Sequence, residues 1–309
     1  MIEEITFKKE YYKRLTSPYS DKQGKKKLFI DQYLQGSGNE LESKFWSPNS
    51  SSRLAFDLYS WIVKEDCIVD FQFEKKLPGV ICSKKGPAGV PNMDVYFETD
   101  CNRVFIESKY TESSSLAYTR GKSPNLSKAY WAKDVYGGLN ITERFYGEEN
   151  IALSFSNFCS DIQNIIDSFK GNQWKWFDVK QETCHLFGII FFLLGGQKEN
   201  KQYICTHPKK LLNKKVHLCN IIWELENDNF DIKEDSLPSY FEKKAKKLVE
   251  ECVPSIEFEY RILTVEELLG EKNFFGLDYT KAKPYGIDDI SLKELMNQYN
   301  QPVKKRGNK

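Results

Sequence analysis

Two apolar runs joined by a tight turn restrict the possible folds of this chain more than any other feature. Residues 93–98 and 103–109 both have the composition of strands, and the intervening TDCN is typical of a turn. We therefore predict a β-hairpin. A turn centred on Cys101 places Glu98 opposite Arg103, and this pairing fixes the register of the rest of the hairpin.

The same register brings charged residues together. Asp94 falls opposite Glu107, with Cβ atoms about 4.5–5.5 Å apart, and Lys109 lies two residues further along the same face. Opposed carboxylates destabilise a hairpin unless a cation lies between them. Oxygen ligands favour Mg²⁺, and Mn²⁺ is expected to substitute for it. A lysine beside a metal-bound water is suited to phosphodiester hydrolysis. The simpler alternative is an edge hairpin with a cross-strand salt bridge.

Context distinguishes this group from similar triplets in the chain. The pattern Asp/Glu-x-Lys recurs at several positions, including Glu74 and Lys76, where we expect a solvated glutamate. Only at 107–109 does it end an apolar strand that faces an aspartate. PNMD (91–94) and ESK (107–109) resemble the motifs of the PD-(D/E)XK nuclease superfamily. The resemblance implies that Asp94 and Glu107 hold the metal and that Lys109 positions or activates the attacking water.

Two further segments extend the resemblance to roughly residues 38–196. GNELESKFW is similar to the first helix of the family, which implies a supporting acid at Glu40, or else Glu42; an ordinary i, i+4 helix pair is the alternative. QETCHLFGI is similar to a later helix with a Q-x-x-x-Y motif, although His185 stands at the last position. Gln181 would then place the phosphate or Lys109; the alternatives are an exposed first-turn glutamine and a core histidine.

Composition limits the other kinds of site. The chain has 45 basic and 44 acidic residues, so a nucleic-acid surface must be a local patch. Eight cysteines without paired spacing and three histidines argue against zinc. No signal peptide is visible, and the apolar run 186–196 is too short for a membrane span, so we expect a soluble cytoplasmic protein. The lysines nearest the hairpin, and so the candidate nucleic-acid contacts, are Lys75, Lys76, Lys84 and Lys85.

Periodicity predicts an α/β fold. A helix capped by serines at 50–52, a strand at 68–76 and the hairpin are followed by helices at 156–169 and 178–194, and later by a strand, a helix and a last strand. With the resemblance, this implies a restriction-endonuclease-like core: a central mixed sheet flanked by helices, with helical and mixed additions. We predict an N-terminal extension (1–37), a nuclease core (38–226), a C-terminal strand and helix addition packed on the core (227–300) and a flexible basic tail (301–309).

These features predict a Mg²⁺-dependent endonuclease that hydrolyses DNA, in restriction-type defence against foreign DNA. The expected partner is double-stranded DNA, and a homodimer would supply two sites for the two strands. Two alternatives remain open at this point. One is a structure-specific repair or recombination nuclease, and the other is a non-cleaving nucleic-acid-binding scaffold of the same fold.

Overall fold

The structure, a computed structural model, describes residues 2–35, 41–42, 45–47, 50–77, 91–110, 149–168, 177–195, 197–199, 202–204, 214–223 and 236–299. The helices are α1 (Ile2–Leu15), α2 (Phe29–Gln35), α3 (Ser51–Tyr59), α4 (Glu149–Ser168), α5 (Val179–Leu193), α6 (Leu237–Cys252), α7 (Val265–Gly270) and α8 (Leu292–Tyr299). The strands are β1 (Tyr19–Ser20), β2 (Lys26–Lys27), β3 (Asp70–Lys76), β4 (Asn92–Glu98), β5 (Asn102–Lys109), β6 (Gln197–Glu199), β7 (Gln202–Ile204), β8 (Lys215–Ile222) and β9 (Phe258–Thr264).

A mixed sheet forms the centre of the described structure. Its five strands lie in the order β3-β4-β5-β8-β9. The pairs β3–β4 and β4–β5 are antiparallel, whereas β5, β8 and β9 are mutually parallel. The prediction of an α/β protein with a central mixed sheet flanked by helices is confirmed. The hairpins β1–β2 and β6–β7 lie outside this sheet.

Each face of the sheet packs on its own group of helices. Helices α4, α5 and α6 form one hydrophobic core with Tyr96 and Phe105 of the hairpin. Helices α1, α2, α3, α7 and α8 form the other, with Val95 and Val104. The central strand β5 is therefore buried on both faces, which explains the continuous apolar run at 104–106.

Local signals predicted most of these elements. Ser50 caps α3 as expected, because its side chain accepts a hydrogen bond from the backbone N–H of Arg53. The hairpin, the helix at 179–193 and the strands β8 and β9 also lie where periodicity predicted them, and α4 begins seven residues before its predicted start at 156. The apolar run that begins at Leu186 is buried in α5, and no helix among the described residues has the length and apolarity needed to cross a membrane.

Both predicted flanking segments are integrated into the fold. Helix α1, within the segment 1–37, is fixed by a buried ion pair in which Arg14 Nη2 lies 2.8 Å from Asp57 Oδ1 on α3. The segment 227–300 supplies β9, which is a strand of the central sheet itself. The predicted short helix within 113–147 and the tail 301–309 lie outside the described residues.

Candidate active site

The hairpin has the predicted register. Pairing between β4 and β5 continues as far as Val95 opposite Ile106, and the next position on each strand is Asp94 and Glu107. At that level the Asp94 side chain turns to the neighbouring strand, where its Oδ2 accepts a hydrogen bond from the backbone N–H of Ser108 at 2.7 Å. The aspartate is thereby tied to the strand that carries the glutamate.

Three side chains at the end of β5 form a closed set of hydrogen bonds. Lys109 Nζ donates to Glu107 Oε1 at 2.6 Å and to Gln181 Oε1 at 2.5 Å. Gln181 Nε2 in turn donates to Glu107 Oε1 at 2.7 Å. The Asp178 side chain accepts a hydrogen bond from the backbone N–H of Gln181 and so fixes the first turn of α5. The glutamine predicted from the helix motif therefore meets the lysine and the glutamate of the hairpin.

This arrangement is not the surface salt bridge considered as the alternative. The hairpin is not an isolated edge, because β3 covers the outer side of β4 and β8 covers β5. The side chains of Glu107 and Lys109 are only 6% and 12% exposed. Alternation along β4 would place Met93 and Val95 on the same face, but Met93 lies in the core with α5, on the Glu107 side, and Val95 lies in the opposite core.

The environment of Asp94 disfavours a second negative charge. Burial, followed by the carboxylates of Glu107 and Glu74, raises the pKa of Asp94 well above its ordinary value, against the opposing effect of Lys109. Repulsion between neighbouring carboxylates is the expected physical cause. A divalent cation would supply the missing positive charge.

Glu74 is a third acid that sequence reasoning did not place in the site. It lies on β3 at the position between Phe73, which pairs with Val95, and Lys75, so the register sets it across from Asp94. It is 5% exposed and not solvated as expected, and Asn92 Nδ2 donates a hydrogen bond to its Oε2. Its backbone φ of 50° is unusual for a residue other than glycine. The Glu74/Lys76 triplet was a weak signal of this position.

A buried acid also lies behind the site. Glu182, on α5, is 2% exposed, and its Oε2 accepts hydrogen bonds from Asn220 Nδ2 at 2.8 Å and Tyr260 OH at 3.2 Å. Burial raises the pKa of Glu182 to about 7, with the charge of Glu107 adding to the effect. Asn220 on β8 pairs with Glu107 on β5. The hydrogen bonds of Glu182 therefore reach the strand position next to the site.

His185 lies one helical turn beyond Gln181. The ring is 3% exposed, and its Nε2 is 3.8 Å from Glu107 Oε2. Burial lowers the pKa of His185, although the nearby Glu107 carboxylate opposes the effect. Sequence reasoning favoured a core histidine, and the ring is indeed in the core, but it faces the glutamate of the site.

The other predicted site residues are distributed as follows. Glu40, Lys84 and Lys85 lie outside the described residues, and Glu42 is exposed. Lys75 is half-buried, with Nζ 4.6 Å from the centroid of the Tyr96 ring. Lys76 is exposed.

The donor atoms fit a hard divalent cation held by few protein ligands. Within the described ranges, no group of three or more His, Cys, Asp or Glu side chains is arranged to hold a metal ion. Asp94 and Glu107 would offer two carboxylates to such an ion. Mg²⁺ commonly binds in this way.

Comparisons with protein-family models, with curated proteins and with solved structures give no match for this chain. The assignment of function therefore depends on the geometry of the site.

Proposed function

We propose that this chain is a Mg²⁺-dependent nuclease that hydrolyses the phosphodiester bonds of double-stranded DNA, with a restriction-endonuclease-like core. The observation that carries the proposal is the hydrogen-bonded set of Glu107, Lys109 and Gln181 beside Asp94. A buried lysine paired with a buried carboxylate and a polar helix residue is a costly arrangement for stability alone. Its position at the end of the central strand supports a catalytic role.

Each side chain has a distinct task in this proposal. Asp94 and Glu107 would hold Mg²⁺ or Mn²⁺, and the bound ion would supply Lewis-acid and charge stabilisation at the phosphate. Lys109 would orient the attacking water and place its positive charge beside the phosphoryl oxygens. Gln181 would keep the ammonium group in position, because its amide oxygen accepts from Lys109 while its amide nitrogen donates to Glu107.

Restriction-type defence in the cytoplasm is the proposed biological role. Cleavage of both strands of a duplex at a symmetric sequence calls for two sites related by a two-fold axis, so we propose a homodimer on DNA. A structure-specific repair or recombination nuclease would use the same side chains. The two roles differ in the ends that they produce: fixed sequences for restriction, and junctions or flaps for repair.

The test is digestion of a long, sequence-diverse DNA by the purified full chain with Mg²⁺, Mn²⁺ or EDTA, followed by sequencing of the ends. We expect cleavage with either metal and none with EDTA. Asp94→Asn should abolish cutting because it removes a metal ligand. Lys109→Ala should slow it by roughly 10²–10⁴-fold, the usual contribution of a positioned proton-transfer group.

A matched control comes from the far end of the same hairpin. Lys214 Nζ donates to Glu98 Oε2 at 2.7 Å, so Lys214→Ala also removes a lysine from a carboxylate but does so away from the site. This variant should cut at the parental rate. Circular dichroism should show that all three variants are folded. Parental cutting by Asp94→Asn would refute the proposal, and metal-dependent DNA binding without cleavage by the parent would favour the scaffold alternative.

A further inference from the structure

Glu107 is contacted differently at its two carboxylate oxygens. Oε1 accepts hydrogen bonds from both Lys109 and Gln181. Oε2 faces the His185 ring, with Nε2 at 3.8 Å. An ionised carboxylate has about four lone-pair positions, two on each oxygen. The two donors at Oε1 use two of them, so a metal ion and any further donor must share Oε2.

The surroundings of the His185 ring indicate which nitrogen carries the proton. Nδ1 is buried and has no hydrogen-bond partner among the described residues. With the proton on Nδ1, the buried N–H would have no acceptor, and the bare Nε2 lone pair would face the lone pairs of Glu107 Oε2. The tautomer with the proton on Nε2 is therefore preferred. In that tautomer the N–H points toward a carboxylate oxygen, and the bare Nδ1 lies in the apolar core.

We propose that His185 is a positioning residue for Glu107: its Nε2–H closes on Oε2 when the carboxylate binds the divalent cation, and it fixes the plane in which the remaining lone pair meets the ion. This inference deepens the proposed nuclease function and depends on it. The present separation of 3.8 Å exceeds hydrogen-bond length. Rotation about the soft terminal torsion of the glutamate can supply a closure of about 1 Å, with Lys109 and Gln181 following the shift of Oε1.

The arrangement explains why two polar residues of α5 lie one turn apart against the same side chain. Gln181 holds one oxygen of Glu107, and on closure His185 would hold the other, so a single rigid helix would set both ends of the carboxylate. Side chains that orient a metal-binding carboxylate typically change metal affinity by about 10–100-fold when they are removed. An effect of that size is measurable without any assay of cleavage.

Calorimetric titration of the full chain with MnCl₂ tests the proposal with a matched pair of variants. His185→Leu fills a similar volume without a donor and should bind Mn²⁺ about 10–100-fold more weakly than the parent. His185→Gln keeps an N–H at a similar reach and should restore affinity to within about threefold of the parent, a pattern that loss of packing would not give. Equal affinity of the leucine variant and the parent, or equal weakness of both variants, would overturn the inference.

Two spectroscopic measurements separate this inference from the proposed function. Nitrogen-15 spectra of the imidazole should show the Nε2–H tautomer of His185, and the Nδ1–H tautomer would contradict the assignment. Nitrogen hyperfine coupling from His185 to bound Mn²⁺ would make it a metal ligand and also refute the positioning role. If the parent binds Mn²⁺ and cuts DNA while His185→Leu is unchanged, only this inference fails. If the parent binds no Mn²⁺ or Mg²⁺, the proposed function fails and the inference with it.

Discussion

Replacement of the buried Glu182 by glutamine should make the protein more stable, and increasingly so as the pH rises. Burial raises the pKa of this carboxyl from 4.5 to about 7. Each unit of pKa difference between the folded and unfolded states corresponds to about 1.36 kcal/mol. The difference of about 2.5 therefore places the cost of the charged form in the folded protein at about 3 kcal/mol. Glutamine removes the charge and keeps an oxygen that can accept from Asn220 and Tyr260.

The direction of the pH dependence follows from which state binds the proton more tightly. The folded protein holds the Glu182 proton up to about pH 7, whereas the unfolded chain releases it near 4.5. The stability contributed by protonation is fully present below pH 4.5 and is lost as the pH rises to 7. Above pH 7 the carboxylate is charged in both states, and the cost is constant. Glu182→Gln lacks this loss because glutamine does not titrate.

Urea unfolding of the parent and Glu182→Gln at pH 5, 6, 7 and 8 measures the effect. The free energies of unfolding should differ by less than about 1 kcal/mol at pH 5, and the variant should be more stable by about 3 kcal/mol at pH 8. Equal dependence of the unfolding free energy on urea concentration in the two proteins would show that the shift in midpoint reflects stability and not a change in the denatured state. Parallel pH profiles for the two proteins would refute the assignment of a raised pKa to Glu182.

Two further substitutions test how the flanking helices support the site. Asp57→Ala should lower the free energy of unfolding in urea by about 3–5 kcal/mol, because it leaves the buried Arg14 guanidinium without its carboxylate. A decrease in that free energy of less than about 1 kcal/mol would contradict this reasoning. Gly188→Ala should lower the free energy of unfolding by about 1–3 kcal/mol and slow cleavage. The added Cβ would lie 2.5 Å from Pro91 Cγ, three residues before Asp94. Unchanged stability in thermal or urea unfolding would show that Pro91 moves aside without cost.

The parts of the site that depend on local pattern could be predicted from the sequence. The symmetric turn at Cys101 and the alternation of side chains along a strand fix the register, and the register fixes Asp94 and Glu107 as neighbours. Gln181 is implied only by the resemblance of QETCHLFGI to a helix motif, and the structure places it in the first turn of α5. These inferences needed only short stretches of chain.

The remaining parts depend on contacts between distant segments or on one backbone angle. Glu182 and Asn220 are hydrogen-bonded partners 38 residues apart, and no local pattern pairs them. The sequence predicts a solvated Glu74, because a positive φ at a single strand residue cannot be recognised from the sequence. Helix α1 was missed because its polar sequence conceals a buried charge, Arg14, whose partner Asp57 lies on another helix.

The interruption of strand pairing at Asp94 has a consequence for local motion. On β3, the residues on both sides of Glu74 pair with β4, but Glu74 and Asp94 themselves do not form a pair. The pairing of β4 with β5 ends at Val95. This end of β4 has fewer ladder partners than its middle, so its local opening should require less free energy than unfolding of the whole domain. Asp94, one of the two carboxylates proposed to bind metal, thus lies on the more compliant end of a strand, while Glu107 and Lys109 remain paired with β8.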